Sequence, residues 1–193
     1  MEEKLVFMDA GFLSKLSKHF GKGRYLVYDI INFARNLAIK QNLFCKKIFY
    51  YTAPPFQSPI PNKIENKRKE NYDKFIRAIS KERDILIREG RCQRIRGEKD
   101  FEFCQKGVDT LLTMDLTSVS INYPQIKEIV LILCDSDFVP IINNLKKRGI
   151  KIVLYTYYEK SRNSIFSTSN DLIKSADKYI LLSKEDFDNN PLK

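Results

Sequence analysis

The sequence predicts an α/β fold, a mainly parallel central sheet with helices on both faces. Three observations carry this. Four short runs, KLVFMD (4–9), KKIFYYTA (46–53), EIVLILCD (128–135) and IKIVLYT (150–156), are apolar almost throughout, as strands covered on both faces are. Segments with apolar residues every three or four positions lie between them. Strands that alternate with helices, without an internal repeat, form parallel sheets rather than hairpin meanders.

Taken in order, KLVFMD is a strand that ends on an acid, Asp9. RYLVYDIINFARNLAIKQN (24–42) places apolar residues at 27, 30, 31, 34, 37 and 38, which predicts a helix. KKIFYYTA follows as an aromatic, β-favouring strand. TAPPFQSPIPNK (52–63) holds four of the seven prolines and predicts a loop, a lid or a substrate-facing rim. KIENKRKENYDKFIRAISKE (63–82) predicts a charged helix with Ile64, Tyr72, Phe75, Ile76 and Ile79 along one side. ILIREGRCQRI (85–95) reads as a strand broken by Gly90, and VDTLLTMDLTSVSI (108–121) as a helix. After the strand EIVLILCD, FVPIINNLKKRG (138–149) predicts a helix. Asp137 is placed to cap it, Pro140 falls in its first turn and Gly149 ends it. SIFSTSNDLIKSA (164–176) predicts a last helix and KYILL (178–182) a last, shorter strand. The expected organisation is one domain over 1–184 with a polar, fraying tail over 185–193.

The chain has 193 residues, enough to bury a sizeable core. Its apolar runs fall well short of the roughly 20 residues that span a bilayer, so no membrane association is expected. The opening MEEKLVFMDAGFL lacks the long apolar stretch of a secretory leader, which makes the cytoplasm the expected location. Cys45, Cys92, Cys104 and Cys134 form no CxxC pair, and His19 is the single histidine, a poor set for zinc. Nothing in the sequence favours a particular oligomeric state. The net charge of +10 points to an anionic partner, of which nucleic acid is the commonest.

Against that positive background the acids at strand ends stand out. Ligands of parallel α/β sheets bind outside the carboxyl ends of the strands. Asp9 and Asp135 each end an apolar strand, Asp137 follows at a helix start, and Asp109 opens the helix after Gly107. If that helix starts at the same edge, four carboxylates converge. Two unit charges about 4 Å apart repel by about 4 kcal/mol at an effective dielectric near 20. Clustered carboxylates therefore call for a cation or a proton. Hard oxygen donors suit Mg²⁺ or Mn²⁺, and such an ion binds a phosphodiester oxygen and activates water. Read without a ligand, Asp137 is a helix cap and Asp109 a first-turn acid favoured by the helix dipole. Asp115, six residues after Asp109, points about 240° away on an ideal helix and is a supporting or structural group.

These residues together resemble the NYN domain, in its LabA-like branch, a relative of the PIN-domain nucleases. The motifs run in chain order: VFMDAGFL, then QKGVDTLLTMDL, then LILCDSDFVPIINNLKKRGIKIVLY, then NDLIKSADKYILL. The resemblance covers nearly the whole chain and is weakest over 52–100. It implies a PIN-like Rossmannoid three-layer sandwich and a metal-dependent ribonuclease site. Carried over residue by residue, it places Asp9, Asp109, Asp135 and Asp137 in a catalytic, metal-binding cluster, with Ser136 as a neighbour and Lys106 able to meet a phosphate. Many members carry Asn three residues after the first Asp; Phe12 stands there in this chain.

Arg88, Arg91, Arg94 and Arg96, with Lys67 and Arg68, are the candidate RNA contacts. If 85–95 were one strand, alternate arginines would share a face. Tyr50, Tyr51, Phe56, Tyr155, Tyr157 and Tyr158 are candidates for stacking on unpaired bases, and RNA is favoured over DNA. The leading expectation is an Mg²⁺- or Mn²⁺-dependent endoribonuclease acting on single-stranded RNA. The alternative, raised by Phe12, is a catalytically weak or inactive RNA-binding or regulatory module. A Mg²⁺ phosphotransferase ranks third. No GxxxxGK[ST] loop occurs, and GKGRY (21–25) is read as a turn rather than a phosphate loop.

Overall fold

The computed structural model describes residues 2–96, 101–159, 164, 166 and 170–192. Its elements are β1 (Glu2–Asp9), α1 (Ala10–Phe20), α2 (Ile30–Ile39), β2 (Leu43–Thr52), α3 (Lys63–Ile79), β3 (Ile85–Glu89), β4 (Arg91–Arg96) and β5 (Phe101–Lys106). They continue with α4 (Val108–Asn122), β6 (Glu128–Ile132), a 3₁₀ turn (Ser136–Phe138), α5 (Val139–Lys147), β7 (Lys151–Thr156), α6 (Asn170–Ser175), β8 (Lys178–Leu181) and α7 (Lys184–Asp188). Six strands form one sheet in the order β3-β2-β1-β6-β7-β8, and every neighbouring pair is parallel. β4 and β5 form a separate antiparallel hairpin.

The pleat sends successive side chains to opposite faces. Val6 and Met8 of β1 meet Phe12, Leu13 and Leu16 of α1, Phe33 and Leu37 of α2, and Phe187 of α7. Leu5 and Phe7 meet Leu112 and Leu116 of α4 and Ile142 and Leu145 of α5. The result is the expected three-layer sandwich. Strands buried on both faces explain why these segments are apolar at every position.

Several elements differ from the expectation. The helix expected over 24–42 starts only at Ile30, because Asp29 accepts hydrogen bonds from Ile31 N at 2.9 Å and Asn32 N at 3.0 Å and caps it there. The strand expected over 85–95 is two strands in two different sheets, divided at Gly90. A Cβ on Gly90 would stand 2.5 Å from the Lys106 carbonyl oxygen and 2.8 Å from Val108 Cγ2, so two backbones cross at a distance only glycine permits. Of the helix expected over 164–176, Asn170–Ser175 is helical, while 165 and 167–169 lie outside the described residues. The tail expected to fray is docked. Ser183 and Asp186 form a capping box, Phe187 is 1 % exposed, and Lys40 reaches Asp186 at 2.6 Å. No helix among the described residues is long and apolar enough to cross a membrane.

Candidate active site

The chain runs from β1 outward through β2 to β3, then returns to the other side of β1 for β6, β7 and β8. The strand order reverses between β1 and β6. At such a switch point the flanking connections diverge to opposite faces and leave a crevice at the carboxyl edge. Asp9 is the last residue of β1, and Asp135 lies just past the end of β6. α4 begins at Gly107, whose φ of 81° turns the chain out of β5 so that Asp109 falls in the helix's first turn.

Asp9 caps α1: its Oδ1 accepts from Gly11 N at 2.8 Å, and the Phe12 backbone N–H also donates to this carboxylate. Burial raises the Asp9 pKa above the usual carboxylate value; these two bonds oppose the rise, the Asp109 charge adds to it and Lys15 offsets it. Asp109 is also raised, first by desolvation and then by the charges of Asp135 and Asp137, with Lys15 again opposing. The four carboxylates therefore share one electrostatic neighbourhood. Asp135, not Asp137, is the cap: its Oδ1 accepts from Asp137 N at 2.9 Å. The expected capping role of Asp137 falls away, and its carboxylate stands exposed beside Ser136, also exposed. The Cys134 thiol is pushed up to about 12 by burial and by Asp9, which keeps it protonated and inert.

Lys15 escaped the sequence reading because α1 did. It is exposed on α1 and faces Asp9, Asp109 and Cys134 as their shared cation. Gln105 escaped with β5. A Cβ on Gly11 would lie 3.0 Å from Gln105 Oε1 and 3.1 Å from Asp9 Oδ1, which sets the amide of β5 beside the Asp9 carboxylate. Phe12 is 2 % exposed and packs in the core, so that side chain does not enter the crevice.

The β4–β5 hairpin springs from the carboxyl edge at Gly90 and returns to α4 at Gly107. It carries Arg91, Arg94, Arg96 and Lys106, all exposed, with Arg91 and Lys106 paired in register. Arg94 stacks over Phe56 of the proline loop at 5.3 Å and over Phe101 at 4.5 Å. Arg88 does not belong with them. It lies on β3, and its guanidinium grips Asp115 of α4, Nε to Oδ2 at 2.9 Å and Nη2 to Oδ1 at 2.8 Å; Tyr51 Oη donates to Oδ2 at 2.9 Å. Asp115 is thereby a structural tie between α4 and the sheet. On α3, Lys67 pairs with Glu70 at 3.4 Å, and Arg68 is exposed beside it. Tyr50, Tyr51 and Tyr155 are 8 %, 0 % and 1 % exposed, which removes them as stacking platforms.

Among the described residues, no three His, Cys, Asp or Glu side chains stand close enough together to hold a metal ion. A closed cage of the structural-zinc kind is absent there. Carboxylate oxygens are hard donors of the kind that Mg²⁺ and Mn²⁺ take, one or two carboxylates at a time, with waters and substrate phosphates completing the shell. The raised Asp9 and Asp109 record repulsion and burial that a bound cation relieves.

A family model described as the NYN domain matches residues 5–183. No curated protein matches the chain. Among solved structures, the crystal structure of a protein of unknown function, VPA0982 from Vibrio parahaemolyticus RIMD 2210633, is similar in fold. It superposes with a TM-score of 0.59 at 16 % identity over 96 % of this chain and 95 % of that one.

Proposed function

The chain belongs to the NYN domain family, a family of PIN-like nucleases, and from that premise we propose that it is a divalent-metal-dependent endoribonuclease of the LabA-like branch that hydrolyses single-stranded RNA. The observation that carries this reading is the placement of Asp9 at the end of β1, Asp109 in the first turn of α4, and Asp135 and Asp137 just past β6, about the switch point between β1 and β6. Such a carboxylate group costs stability and is hard to account for as packing alone.

One or two of the carboxylates of Asp9, Asp109, Asp135 and Asp137 would hold an Mg²⁺ or Mn²⁺ ion, with waters and a substrate phosphate completing its shell. When bound, that ion supplies Lewis acidity to a phosphodiester oxygen and lowers the pKa of a water. The chain's own groups do the rest. Asp9 is held by two backbone N–H groups, so its carboxylate is fixed before substrate arrives. Gln105 offers an amide beside it, and Lys15 and Lys106 offer positive charge to the phosphate. Attack on phosphorus with loss of the 3′ oxygen leaves a 5′-phosphate. The hairpin arginines Arg91, Arg94 and Arg96 guide the strand to the crevice.

The test is cleavage of a labelled mixed-sequence single-stranded RNA with Mn²⁺, Mg²⁺ or EDTA, beside Asp9→Asn and Asp135→Asn. Metal-dependent cleavage that both variants lose supports the reading; undiminished cleavage by both overturns it. The second reading, an RNA-binding module without turnover, is favoured by one observation, the core position of Phe12. Tight binding with no cleavage at either metal selects it.

A further inference from the structure

Between Asp9 and Asp29 the sequence holds Lys15, Lys18, Lys22 and Arg24 with His19, and no acid. On α3, by contrast, positive charge is interleaved with negative: Lys67 and Lys74 pair with Glu70 and Lys69 with Asp73. Among the described residues, Lys15, Lys18 and Lys22 form no ion pair within 4 Å. The structure gathers them. A groove of about 690 Å³ is lined by Ser14, Lys15, Lys18, His19, Lys22, Gly23 and Tyr25.

The groove is built rather than accidental. Lys15, Lys18 and Lys22 are three and four residues apart, so they follow one stripe of α1 into the turn after it, about 10 Å long at 1.5 Å per residue. The turn folds back on the helix: Gly23 N donates to Lys18 O at 2.9 Å, and Leu26 N to Ser17 Oγ at 2.8 Å. Lys22 sits at a φ of 52°, in the left-handed region where glycine is the usual choice. Tyr25 stands 63 % exposed at the groove's end. Lys15, which lines the groove, also lies within electrostatic reach of Asp9 and Asp109, so groove and candidate active site share one residue.

We propose that this groove is a second RNA-binding subsite, in which Lys18 and Lys22 hold backbone phosphates flanking the scissile one and Tyr25 stacks on an unpaired base. It rests on the ribonuclease reading above and extends it. The hairpin delivers one arm of the strand and the α1 groove takes the other. The GKGRY turn is thus a contact for the phosphates of a polymer rather than a nucleotide loop.

The experiment is fluorescence anisotropy of the full chain with a short labelled single-stranded RNA in EDTA, across a salt series, with cleavage assayed in parallel. Lys18→Ala/Lys22→Ala should weaken binding more than tenfold and flatten the slope of log K against log[salt] by about 1.4, two contacts at about 0.7 each. Tyr25→Ala should weaken binding about tenfold and leave the slope unchanged. Lys127→Ala/Lys151→Ala, which removes equal charge at the amino edge, should change the slope far less. Wild-type affinity and slope in Lys18→Ala/Lys22→Ala, or an equal effect of the amino-edge pair, overturns the subsite and leaves the nuclease reading standing if wild type cleaves. A wild-type chain that neither binds nor cleaves RNA overturns both.

Discussion

Replacing Arg88 with alanine should cost stability and leave the salt dependence of RNA binding alone. The guanidinium makes two hydrogen bonds to Asp115, at 2.8 and 2.9 Å, and the carboxylate is only 16 % exposed while Arg88 is 40 % exposed. A hydrogen bond to a charged group contributes about 1.5–3 kcal/mol. The pair shares one carboxylate and one side is open to water, so the loss is about 2 kcal/mol. For a chain of this size each kcal/mol moves Tm by about 2–4 °C, which predicts a fall of about 4–8 °C. Asp115→Ala should cost more, because it also strands the hydroxyl of Tyr51, a residue that is 0 % exposed. A double-mutant cycle should return a coupling of about 1 kcal/mol or more, since the two side chains share their bonds. Thermal melts and an RNA salt titration on the same variants are the assay. An unchanged Tm together with a slope flattened by about 0.7 would make Arg88 a phosphate ligand and refute this account.

Asp9→Asn should melt higher than wild type at neutral pH in EDTA while losing cleavage. The folded pKa of Asp9 is raised, so the native state holds the proton more tightly than the unfolded chain, and stability falls as pH climbs from about 3.8 through the folded value. Asparagine keeps the helix cap and removes that fall; identical pH profiles of Tm for the two proteins would sink the idea. Gly90→Ala should destabilise by about 1–3 kcal/mol and depress kcat, because the new methyl meets the Lys106 carbonyl at 2.5 Å on the segment that leads into Asp109; a neutral effect in urea titration counts against the crossing. Lys22→Gly should hold or raise Tm, since it relieves a left-handed lysine, yet weaken RNA binding. Stability and affinity falling together would assign Lys22 a structural role.

The buried strands were legible because a strand covered on both faces leaves a continuous apolar run, and the acids at their ends were legible for the same reason. α1 was not, although its signals were present: Asp9 as a cap, Leu13 and Leu16 on one face, and Gly21 past its end. It begins on Ala-Gly directly after a strand, with no loop to announce it, and with it Lys15 and the basic groove went unseen. β5 hid because Phe101 and Phe103 sit on a solvent-exposed hairpin, where two-sheet burial sets no pattern. α7 rests on one anchor, Phe187, and one capping box, too few apolar positions for a period. Arg88 was misassigned because charge alone does not distinguish a guanidinium that meets solvent from one that grips a carboxylate on a neighbouring helix.

The same distinction governs the site itself. Lys15 brings one positive charge to Asp9 and Asp109, and the charges of Asp135 and Asp137 act on Asp109 as well, so the edge without a cation remains negative. A phosphate about 4 Å from an unneutralised carboxylate is repelled by about 4 kcal/mol at an effective dielectric near 20. On the proposed reading, RNA in EDTA should therefore be held by the arginines of the hairpin and the lysines of the α1 groove, away from the acids. The scissile phosphate should then settle at Asp9 and Asp109 only once their charge is balanced. Binding measured without metal reads the periphery, and cleavage measured with metal reads the centre. A variant of Lys18 and Lys22 should fail in the first assay and recover cleavage at saturating RNA, whereas a variant of Asp9 should bind in the first and fail in the second at any RNA concentration. Any exchange of those two behaviours would mean that the acidic crevice and the basic groove are not parts of one site.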